Sequence, residues 1–206
     1  MVAAQAPSNY NIANALTVLR VAGVPLFGWL LLTHGGESIG YRVAAWGAFI
    51  VLMATDKIDG DLARKHDLVT DFGKLADPIA DKALTGMAFI GLAVIFDSWL
   101  FWVVTIVVLV REWGITVMRF VVKKYGVMPA GQGGKIKTML QAVALGGYLL
   151  PFEIWDNVPS DILRWVTHVL MAGAVAITIG TGVQYVRDAR NLRRESLAAD
   201  QSDAGR

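Results

Sequence analysis

The sequence predicts an all-α polytopic membrane protein with six transmembrane helices. Three observations lead to this prediction. Of the 206 residues, 55% are hydrophobic and only 17% are charged, whereas roughly a quarter of the residues in an ordinary soluble domain are charged. Six apolar stretches approach the about 20 residues that a spanning helix requires. Charged residues fall at the ends of these stretches, which cover residues 14–34, 40–64, 78–97, 99–122, 135–153 and 161–187.

One membrane domain, residues 1–187, accounts for most of the chain, and a polar tail of residues 188–206 follows it. The tail is rich in charged residues, so we expect it to be solvated or disordered. Residues 1–13 contain no Lys or Arg, and the first apolar run is long enough to span a membrane. We therefore expect no cleavable signal peptide. The chain has no cysteine, which excludes disulfides, thiolate nucleophiles and thiolate metal sites.

The charges at the span ends define one polar side of the predicted bundle. The uncharged runs 43–55, 83–96 and 98–110 are each shorter than a span and reach full length only with the charged residues next to them. Charges inside the membrane zone usually face a polar cavity. In an up-and-down arrangement, the end of helix 2, the start of helix 3, the end of helix 4 and the start of helix 5 share one side. We therefore expect a polar cavity that opens to that side.

Basic residues indicate which compartment this side faces. Lys and Arg are frequent in the connections 57–82 and 123–137 and in the tail from 187 to 194, all on the side of the predicted cavity. The opposite side of the predicted topology has only Arg42 and Arg164. Cytoplasmic loops carry the excess of Lys and Arg in membrane proteins. The cavity and both termini are therefore expected to be cytoplasmic, in the cell (inner or plasma) membrane.

Four aspartates next to apolar stretches form the most informative pattern of the chain. Asp56 and Asp59 are three residues apart, and Asp77 and Asp81 are four apart, so each pair shares a helical face. Carboxylates beside hydrocarbon are costly and indicate a functional site. The Asp77-Pro78 dipeptide predicts a helix start, which would place Asp81 near the first turn, where the helix dipole favours an anion. Oxygen ligands from two adjacent helices would suit one or two Mg²⁺ ions.

Residues close to the first aspartate pair add features of a phosphate site. Gly60 and Ala63 lack bulk and would let a ligand approach the backbone, and Arg64 can meet a phosphate with its fork of donors. Two simpler interpretations of the aspartate cluster compete with a metal and phosphate site. An EF-hand calcium loop requires a different spacing of acidic residues and glycine. A salt-bridge network with neighbouring Lys and Arg residues could stabilise the helix ends without any ligand.

The aspartates belong to the pattern Asp-x2-Asp-Gly-x2-Ala-Arg-x8-Gly-x3-Asp-x3-Asp, which resembles the signature of the CDP-alcohol phosphatidyltransferases. All eight fixed positions match, namely Asp56, Asp59, Gly60, Ala63, Arg64, Gly73, Asp77 and Asp81. The resemblance implies a six-helix membrane enzyme, a homodimer, and two divalent ions, Mg²⁺ or Mn²⁺, bound by the first three aspartates. It implies that Asp81 is the general base and also contacts a metal. Residues implied to line the cytidine diphosphate site are Gly60, Ala63, Arg64 and, in the variable segment, Thr70.

The start of helix 1 carries a polar face, Asn14-x2-Thr17-x2-Arg20. One interpretation is a helix cap together with an Arg that extends to the membrane surface. The other is a wall of the nucleotide or lipid-phosphate site, and the resemblance favours this second interpretation because family members have a similar element.

Helices 4 and 5 carry the basic residues that would select the acceptor alcohol. Arg111 and Arg119 lie on nearly one face of helix 4, and Lys135 and Lys137 open helix 5. Membrane anchoring is one interpretation of the lysines. However, Lys works against the dipole at a helix start, so a binding site for a phosphorylated acceptor is the sharper hypothesis. These elements resemble the bacterial branch of the family that uses sn-glycerol 3-phosphate. The resemblance spans residues 9–145, and helix 6 adds nothing specific to it.

The resemblance implies transfer of a phosphatidyl group from CDP-diacylglycerol to sn-glycerol 3-phosphate, with release of CMP. Inositol phosphate, serine and phosphatidylglycerol are alternative acceptors within the family, and the last would give cardiolipin. The basic residues favour a phosphorylated acceptor. Membrane prenyltransferases and divalent-cation transporters also use carboxylates, but the former are longer and the latter require charges across the whole membrane. The expected partners are these substrates and membrane lipid, and not nucleic acid.

Overall fold

The computed structural model describes residues 11–65, 70–122, 132–152 and 158–204. Inside these ranges, the side chains of several residues are also outside the description, including those of Asp59, Ala63, Arg64 and Lys135. The described residues form six α-helices and one 3-10 helix, which is Thr33–Gly36. The α-helices are α1 (Ile12–Leu32), α2 (Ile39–Lys65), α3 (Asp71–Phe96), α4 (Trp99–Val122), α5 (Gln132–Leu149) and α6 (Val158–Ala204).

The order and approximate positions of these helices agree with the six predicted apolar segments. Four of the described helices are long and apolar enough to cross a membrane by length and composition. The exceptions are α2, which ends in the charged aspartate segment, and α5, which is short and begins with Gly and Lys residues. The candidate spans are Asn14–Gly36, Ala76–Phe96, Trp99–Arg119 and Val158–Arg194. The chain is therefore an all-helical protein with the character of a multi-pass membrane protein.

Apolar side chains hold the helices together along their middle sections. Helix α1 packs against α2 and α3, α5 packs against α6, and α4 contacts both α3 and α6. The most deeply buried apolar side chains come from α1, α2, α3 and α5 and include Phe27, Leu31, Phe49, Leu84 and Leu145. Many other large apolar residues are exposed on the outer faces of the helices, as expected where a protein surface faces lipid rather than water.

The helices alternate in direction, so the bundle has two chemically different ends. Arg20 in the first half of α1 contacts Asp56 near the end of α2, and Thr17 contacts Asp77 in the first half of α3. We call this the aspartate end. At the other end, Arg42 near the start of α2 donates to the backbone carbonyl of Leu150, just after α5. We call this the opposite end.

Helix α3 begins earlier than predicted. The Asp77-Pro78 dipeptide was expected to start it, but the helix begins at Asp71 and Thr70 is its N-cap. The Thr70 hydroxyl accepts a hydrogen bond from the Gly73 amide at 3.1 Å, which satisfies one of the free amides of the first turn. Pro78 lies inside the helix. The prediction that Asp81 lies near the first turn was therefore wrong, and the helix dipole does not explain its position.

The tail is helical over most of its length. Residues 188–206 were expected to be solvated or disordered, and α6 continues as helix to Ala204, so the second alternative does not hold for residues 188–204. The physical reason lies in the composition, because residues 188–206 include four Ala, four Arg and two Leu and have no Gly or Pro before Gly205. Residues of this kind have high helix propensity, so the helix does not stop where the apolar pattern stops.

Candidate active site

The polar face of α1 holds two of the four aspartates in place. Arg20 is fully buried, and its Nη1 lies 2.5 Å from Oδ1 of Asp56, whose side chain is 40% exposed. The Thr17 hydroxyl donates to Oδ1 of Asp77 at 2.7 Å. The buried guanidinium is therefore compensated by a carboxylate, as a charge in an apolar bundle requires. Of the two interpretations of this polar face, the one in which Arg20 extends to the membrane surface does not hold.

Asn14 connects α1 to the start of α3. Its Oδ1 accepts a hydrogen bond of 2.9 Å from the Thr70 hydroxyl, and both side chains are buried. The cap of α1 is Asn11 rather than Asn14, because Asn11 Oδ1 accepts from the Asn14 amide. A side chain at Gly73 would place its Cβ 3.0 Å from Asn14 Oδ1. The lack of a side chain at Gly73 thus allows the first turns of α1 and α3 to approach each other closely.

The carboxylates of the site are close enough to repel one another. Asp56 interacts electrostatically with Asp77, and Asp81 interacts with Asp56. Hard oxygen ligands with this mutual repulsion are chemically suited to a divalent cation. Among the described side chains, however, there is no group of three His, Cys, Asp or Glu residues that could hold a metal ion. The side chain of Asp59, a predicted ligand, is not among those described, so the predicted metal site stays a prediction.

A cavity of about 840 Å³ lies beside the aspartates between α3, α4, α5 and α6. Three of the four predicted acceptor-binding residues line it, Arg111, Arg119 and Lys137. Lys82 adds a fourth positive charge, and Glu112 is the acidic residue among the described lining residues. The excess of positive charge suits an anionic ligand.

Glu112 organises the cations of this cavity. It lies 3.0 Å from Nη1 of Arg111 and also accepts a hydrogen bond from Nζ of Lys137. The carboxylate therefore links α4 to the start of α5. The buried Nε of Arg111, a residue that lines the cavity, has no hydrogen-bond partner among the described residues. Buried polar groups normally have a partner, so the cavity retains hydrogen-bonding capacity for a ligand.

Helix α6 positions the two arginines. The Arg111 Nη2 donates to the Thr181 hydroxyl at 2.8 Å, and the Arg119 Nη2 donates to the Tyr185 hydroxyl at 2.8 Å. The Arg119 guanidinium also lies 5.0 Å from the centre of the Tyr185 ring, which adds a cation–π contact. Helix 6, which adds nothing specific to the sequence resemblance, thus supplies hydrogen-bond partners of both arginines.

Sequence reasoning missed these residues, although a signal was present. Thr178, Thr181 and Tyr185 follow one another at spacings of three and four residues within an apolar helix, which is a polar stripe on one helical face. For Lys82, the sequence indicates only a basic residue of the connection between helices 2 and 3 or a salt-bridge partner. Lys82 directly follows Asp81 on α3, and it lines the cavity.

The structure thus brings together most of the predicted residues that it describes. Asn14, Thr17, Arg20 and Thr70 surround Asp56 and Asp77, while the cavity residues lie beside Asp81. The contacts of the first group are with the aspartates and with one another, which gives them a positioning role whether or not they contact a ligand. Predicted residues whose side chains lie outside the description are Asp59, Gly60, Ala63, Arg64 and Lys135.

Comparison with known proteins identifies the class of protein to which this arrangement belongs. The sequence model of the CDP-alcohol phosphatidyltransferases matches residues 10–180. The match includes the aspartate end and most of the basic cavity. The chain belongs to the CDP-alcohol phosphatidyltransferase family. This family is generally dependent on divalent metals.

Individual relatives carry more specific names. A probable phosphatidylglycerophosphate synthase of Mycobacterium tuberculosis is 46% identical over 183 residues, which cover 89% of this chain and 82% of the relative. A CDP-diacylglycerol–glycerol-3-phosphate 3-phosphatidyltransferase of Bacillus subtilis is 38% identical, over 85% of this chain and 93% of the relative. A CMP-forming cardiolipin synthase of Streptomyces coelicolor is 32% identical, over 92% of this chain and 87% of the relative.

Proposed function

We propose that this chain is an enzyme of phospholipid biosynthesis that transfers the phosphatidyl group of CDP-diacylglycerol to sn-glycerol 3-phosphate. The products are phosphatidylglycerol phosphate and CMP. Membership of the family and the names of the Mycobacterium and Bacillus relatives support this reaction.

The observation that favours a phosphorylated acceptor is the basic cavity next to Asp81. Lys82, Arg111, Arg119 and Lys137 line it together. A phosphomonoester carries close to two negative charges at neutral pH, and arginine binds such oxygens with paired donors. Serine has no phosphate, and the headgroup of phosphatidylglycerol has a single charge on an internal phosphodiester. The cavity is therefore better suited to glycerol 3-phosphate than to either of these acceptors.

Asp81 is the proposed general base, and its surroundings support the role. It interacts electrostatically with Glu112 and Lys137 of the cavity and with Asp56 of the aspartate group. A base between the two sites could take the proton of the 1-hydroxyl of glycerol 3-phosphate. The resulting oxygen attacks the phosphorus that bears diacylglycerol, a new P–O bond forms, and the bond to CMP breaks.

The donor diphosphate is proposed to lie at the aspartate end. Asp56, Asp59 and Asp77, together with Asp81, would hold one or two divalent ions, Mg²⁺ or Mn²⁺. A bound ion supplies neutralisation of charge on the diphosphate and on the leaving CMP. Arg20 and Thr17 would keep Asp56 and Asp77 in position, because each donates directly to one of these carboxylates. Gly60, Ala63, Arg64 and Thr70 remain the proposed nucleotide contacts.

The membrane arrangement is a further part of the proposal. We propose six spans, a homodimer, and an aspartate end that faces the cytoplasm, where water-soluble glycerol 3-phosphate is available. The excess of Lys and Arg at this end supports the orientation.

The direct test is release of CMP by purified protein in detergent, with CDP-diacylglycerol, Mg²⁺ and one acceptor at a time. We expect turnover with glycerol 3-phosphate, little with inositol phosphate, serine or phosphatidylglycerol, and loss of turnover on addition of EDTA. Recovery on addition of Mg²⁺ or Mn²⁺ would identify the ion.

The alternative outcomes separate the parts of the proposal. Turnover with phosphatidylglycerol alone would make the chain a cardiolipin synthase and would remove the acceptor role from Arg111, Arg119 and Lys137. Turnover that persists in EDTA would contradict the metal. No turnover with any acceptor, in protein that elutes as a folded species, would contradict the reaction itself.

A further inference from the structure

A second cavity lies at the opposite end of the bundle, far from the aspartates. It has a volume of about 330 Å³, and Arg42, Arg164 and His168 line it together with aromatic residues. Arg42 and Arg164 are the two basic residues that the sequence places on the side of the membrane otherwise poor in Lys and Arg. The fold brings both of them to one cavity.

The two arginines differ in accessibility. Arg42 is 7% exposed and donates through Nη2 to the Leu150 carbonyl at 3.3 Å. The side chain of Arg164 is 47% exposed, its Nη1 lies 3.9 Å from Oδ1 of the exposed Asp161 on the same helix, and its guanidinium lies 5.9 Å from the centre of the Phe152 ring. The hydroxyl of Tyr148 and Nδ1 of His168 are 2.7 Å apart. The cavity thus combines one fixed and one accessible guanidinium with further polar groups, a composition that suits a phosphate group.

An apolar groove of about 600 Å³ continues from this cavity along the bundle. Cavity and groove share the side chains of Phe101, Tyr148 and His168. The groove is lined mainly by apolar residues of α3, α4 and α6, among them Val104, Met171 and Val175. A basic pocket at the opposite end of the bundle therefore continues into an apolar groove between the helices.

We propose that this cavity and groove form a binding site for an anionic phospholipid. The phosphate would lie between Arg42 and Arg164, and an acyl chain would lie in the groove between α4 and α6. The joined shape carries the choice of ligand, since a free phosphate would leave the groove empty and a hydrocarbon alone would make no use of the guanidinium groups that line the cavity. The site is independent of the proposed reaction, because it lies at the other end of the bundle.

Fluorescence quenching can test the site directly, because the chain has no cysteine. Ala172 is exposed and lines the groove, so Ala172→Cys would carry a bimane label in protein reconstituted into phosphatidylcholine nanodiscs. Acyl-brominated phosphatidylglycerol should quench this label at a roughly tenfold lower mole fraction than brominated phosphatidylcholine, the scale of one charge-assisted hydrogen bond. The zwitterionic lipid is disfavoured because its choline cation would lie against the second arginine.

Two matched controls make the result specific. Adding Arg164→Gln should remove the preference for phosphatidylglycerol, whereas Arg194→Gln, the same change at an exposed position near the other end of α6, should leave it intact. A label at Ala22→Cys, exposed on α1, should show no preference between the two lipids.

Three results would overturn the proposal. The first is equal quenching by both lipids at Ala172→Cys, or a preference that survives Arg164→Gln in protein with the elution profile of the parent. The second is a preference that Arg194→Gln removes as fully as Arg164→Gln, which would assign the preference to the overall charge of the protein. The third is a label that neither lipid quenches, which would assign the groove to contact with a second copy of the chain.

Discussion

At the scale of single residues, the fully buried Arg20 shows how the aspartate end is constructed. A guanidinium that is 0% exposed in an apolar bundle needs a counter-charge, and Asp56 provides it at 2.5 Å. The pair leaves Asp56 itself 40% exposed. One face of the carboxylate is therefore held by the protein, while the rest of the side chain is available for a ligand. Thr17 plays the corresponding part for Asp77, with a hydrogen bond from its uncharged hydroxyl to the carboxylate.

The role of Asp81 leads to the first residue-scale prediction. Asp81→Asn keeps the shape of the side chain but cannot accept the proton of the acceptor hydroxyl. We expect kcat for CMP release to fall by about 10² to 10⁴-fold, the usual contribution of a general base. Steady-state assays with CDP-diacylglycerol and glycerol 3-phosphate would measure this. Asp188→Asn, at an exposed position of α6, is the matched control and should have near-parent activity.

A second readout separates a base from a metal ligand. If Asp81 acts as the base alone, the Mg²⁺ concentration that gives half-maximal residual turnover should be the same in Asp81→Asn and in the parent. A large increase in that concentration would instead make Asp81 chiefly a ligand. Turnover close to that of the parent would contradict both roles.

The sequence predicts candidate residues best where several charged side chains occur in one short motif. Four aspartates at fixed spacing identify the site because carboxylates are rare beside apolar stretches. Glu112 and Lys82 could not be assigned in the same way. Their position in the cavity depends on how α3, α4 and α5 pack, and a single charged residue at a helix end is equally typical of membrane anchoring or of a solvated surface. The link between Glu112 and Lys137 spans two helices, and no local pattern in the sequence indicates it.

At the scale of helices, α6 contributes Tyr185 to the proposed acceptor site. Tyr185→Phe would remove the hydrogen bond to Arg119 and retain the ring contact. Because a hydrogen bond to a charged group contributes about 1.5–3 kcal/mol, we expect KM for glycerol 3-phosphate to rise roughly tenfold. The value of kcat should change little. Initial-rate kinetics with varied glycerol 3-phosphate would measure both constants.

Tyr41→Phe is the matched control, since Tyr41 lies on α2 near the opposite end and contacts the rings of Trp29 and His34. It should leave both constants unchanged. A fall in kcat for Tyr185→Phe with KM unaffected would contradict a role of Tyr185 in positioning Arg119 for the acceptor phosphate. Equal effects of the two substitutions would point to a general loss of stability.

The contact between α5 and α6 depends on a glycine. A Cβ at Gly147 would lie 2.5 Å from Oγ1 and 2.8 Å from Cγ2 of Thr167. The Thr167 hydroxyl is held by a 2.8 Å hydrogen bond to the Leu163 carbonyl, so the side chain cannot rotate away without losing it. We expect Gly147→Ala to destabilise the protein by about 1–3 kcal/mol, the usual cost of overpacking. This should be measured as a lower midpoint of thermal unfolding in detergent.

Gly173 provides the comparison on α6. A Cβ there meets nothing within 4 Å, and alanine has the higher helix propensity. Gly173→Ala should therefore keep or slightly raise the thermal midpoint. Equal midpoints for Gly147→Ala and the parent would mean that α5 and α6 are not packed as closely as the structure has them.

Helix boundaries were less predictable than helix existence, for physical reasons visible in α3. The Asp77-Pro78 pair has the composition of a helix start, but Thr70 caps the helix and the chain continues as helix through Pro78. Asn14 stabilises this earlier start by bonding to Thr70 from another helix. A cap supported by tertiary contact outweighs a local signal, and the sequence around Pro78 contains no trace of it. The apolar stretches alone located all six of the described α-helices.

At the scale of the whole molecule, the two ends of the bundle are chemically unequal. The aspartate end has carboxylates, a basic cavity of about 840 Å³ and the charged part of α6. The middle is filled by apolar side chains such as Phe27, Phe49 and Leu145. Such an arrangement allows a water-soluble acceptor to enter from one side only. Among the described residues, it does not offer the continuous polar path that a cation transporter would need.

This inequality gives a prediction about orientation, which single cysteines can test in a chain that has none of its own. Glu37 is exposed at the opposite end, between α1 and α2, and Asn191 is exposed on α6 beyond the last predicted span. In intact cells, a membrane-impermeant maleimide should label Glu37→Cys and should label Asn191→Cys only after the cells are opened. The reason is that Lys and Arg are concentrated on the side of Asn191, and cytoplasmic segments carry that excess.

Labelling of Asn191→Cys alone in intact cells would reverse the orientation and move the aspartate end away from cytoplasmic glycerol 3-phosphate. Labelling of both positions in intact cells would contradict an odd number of crossings between them, and with it the six-span arrangement.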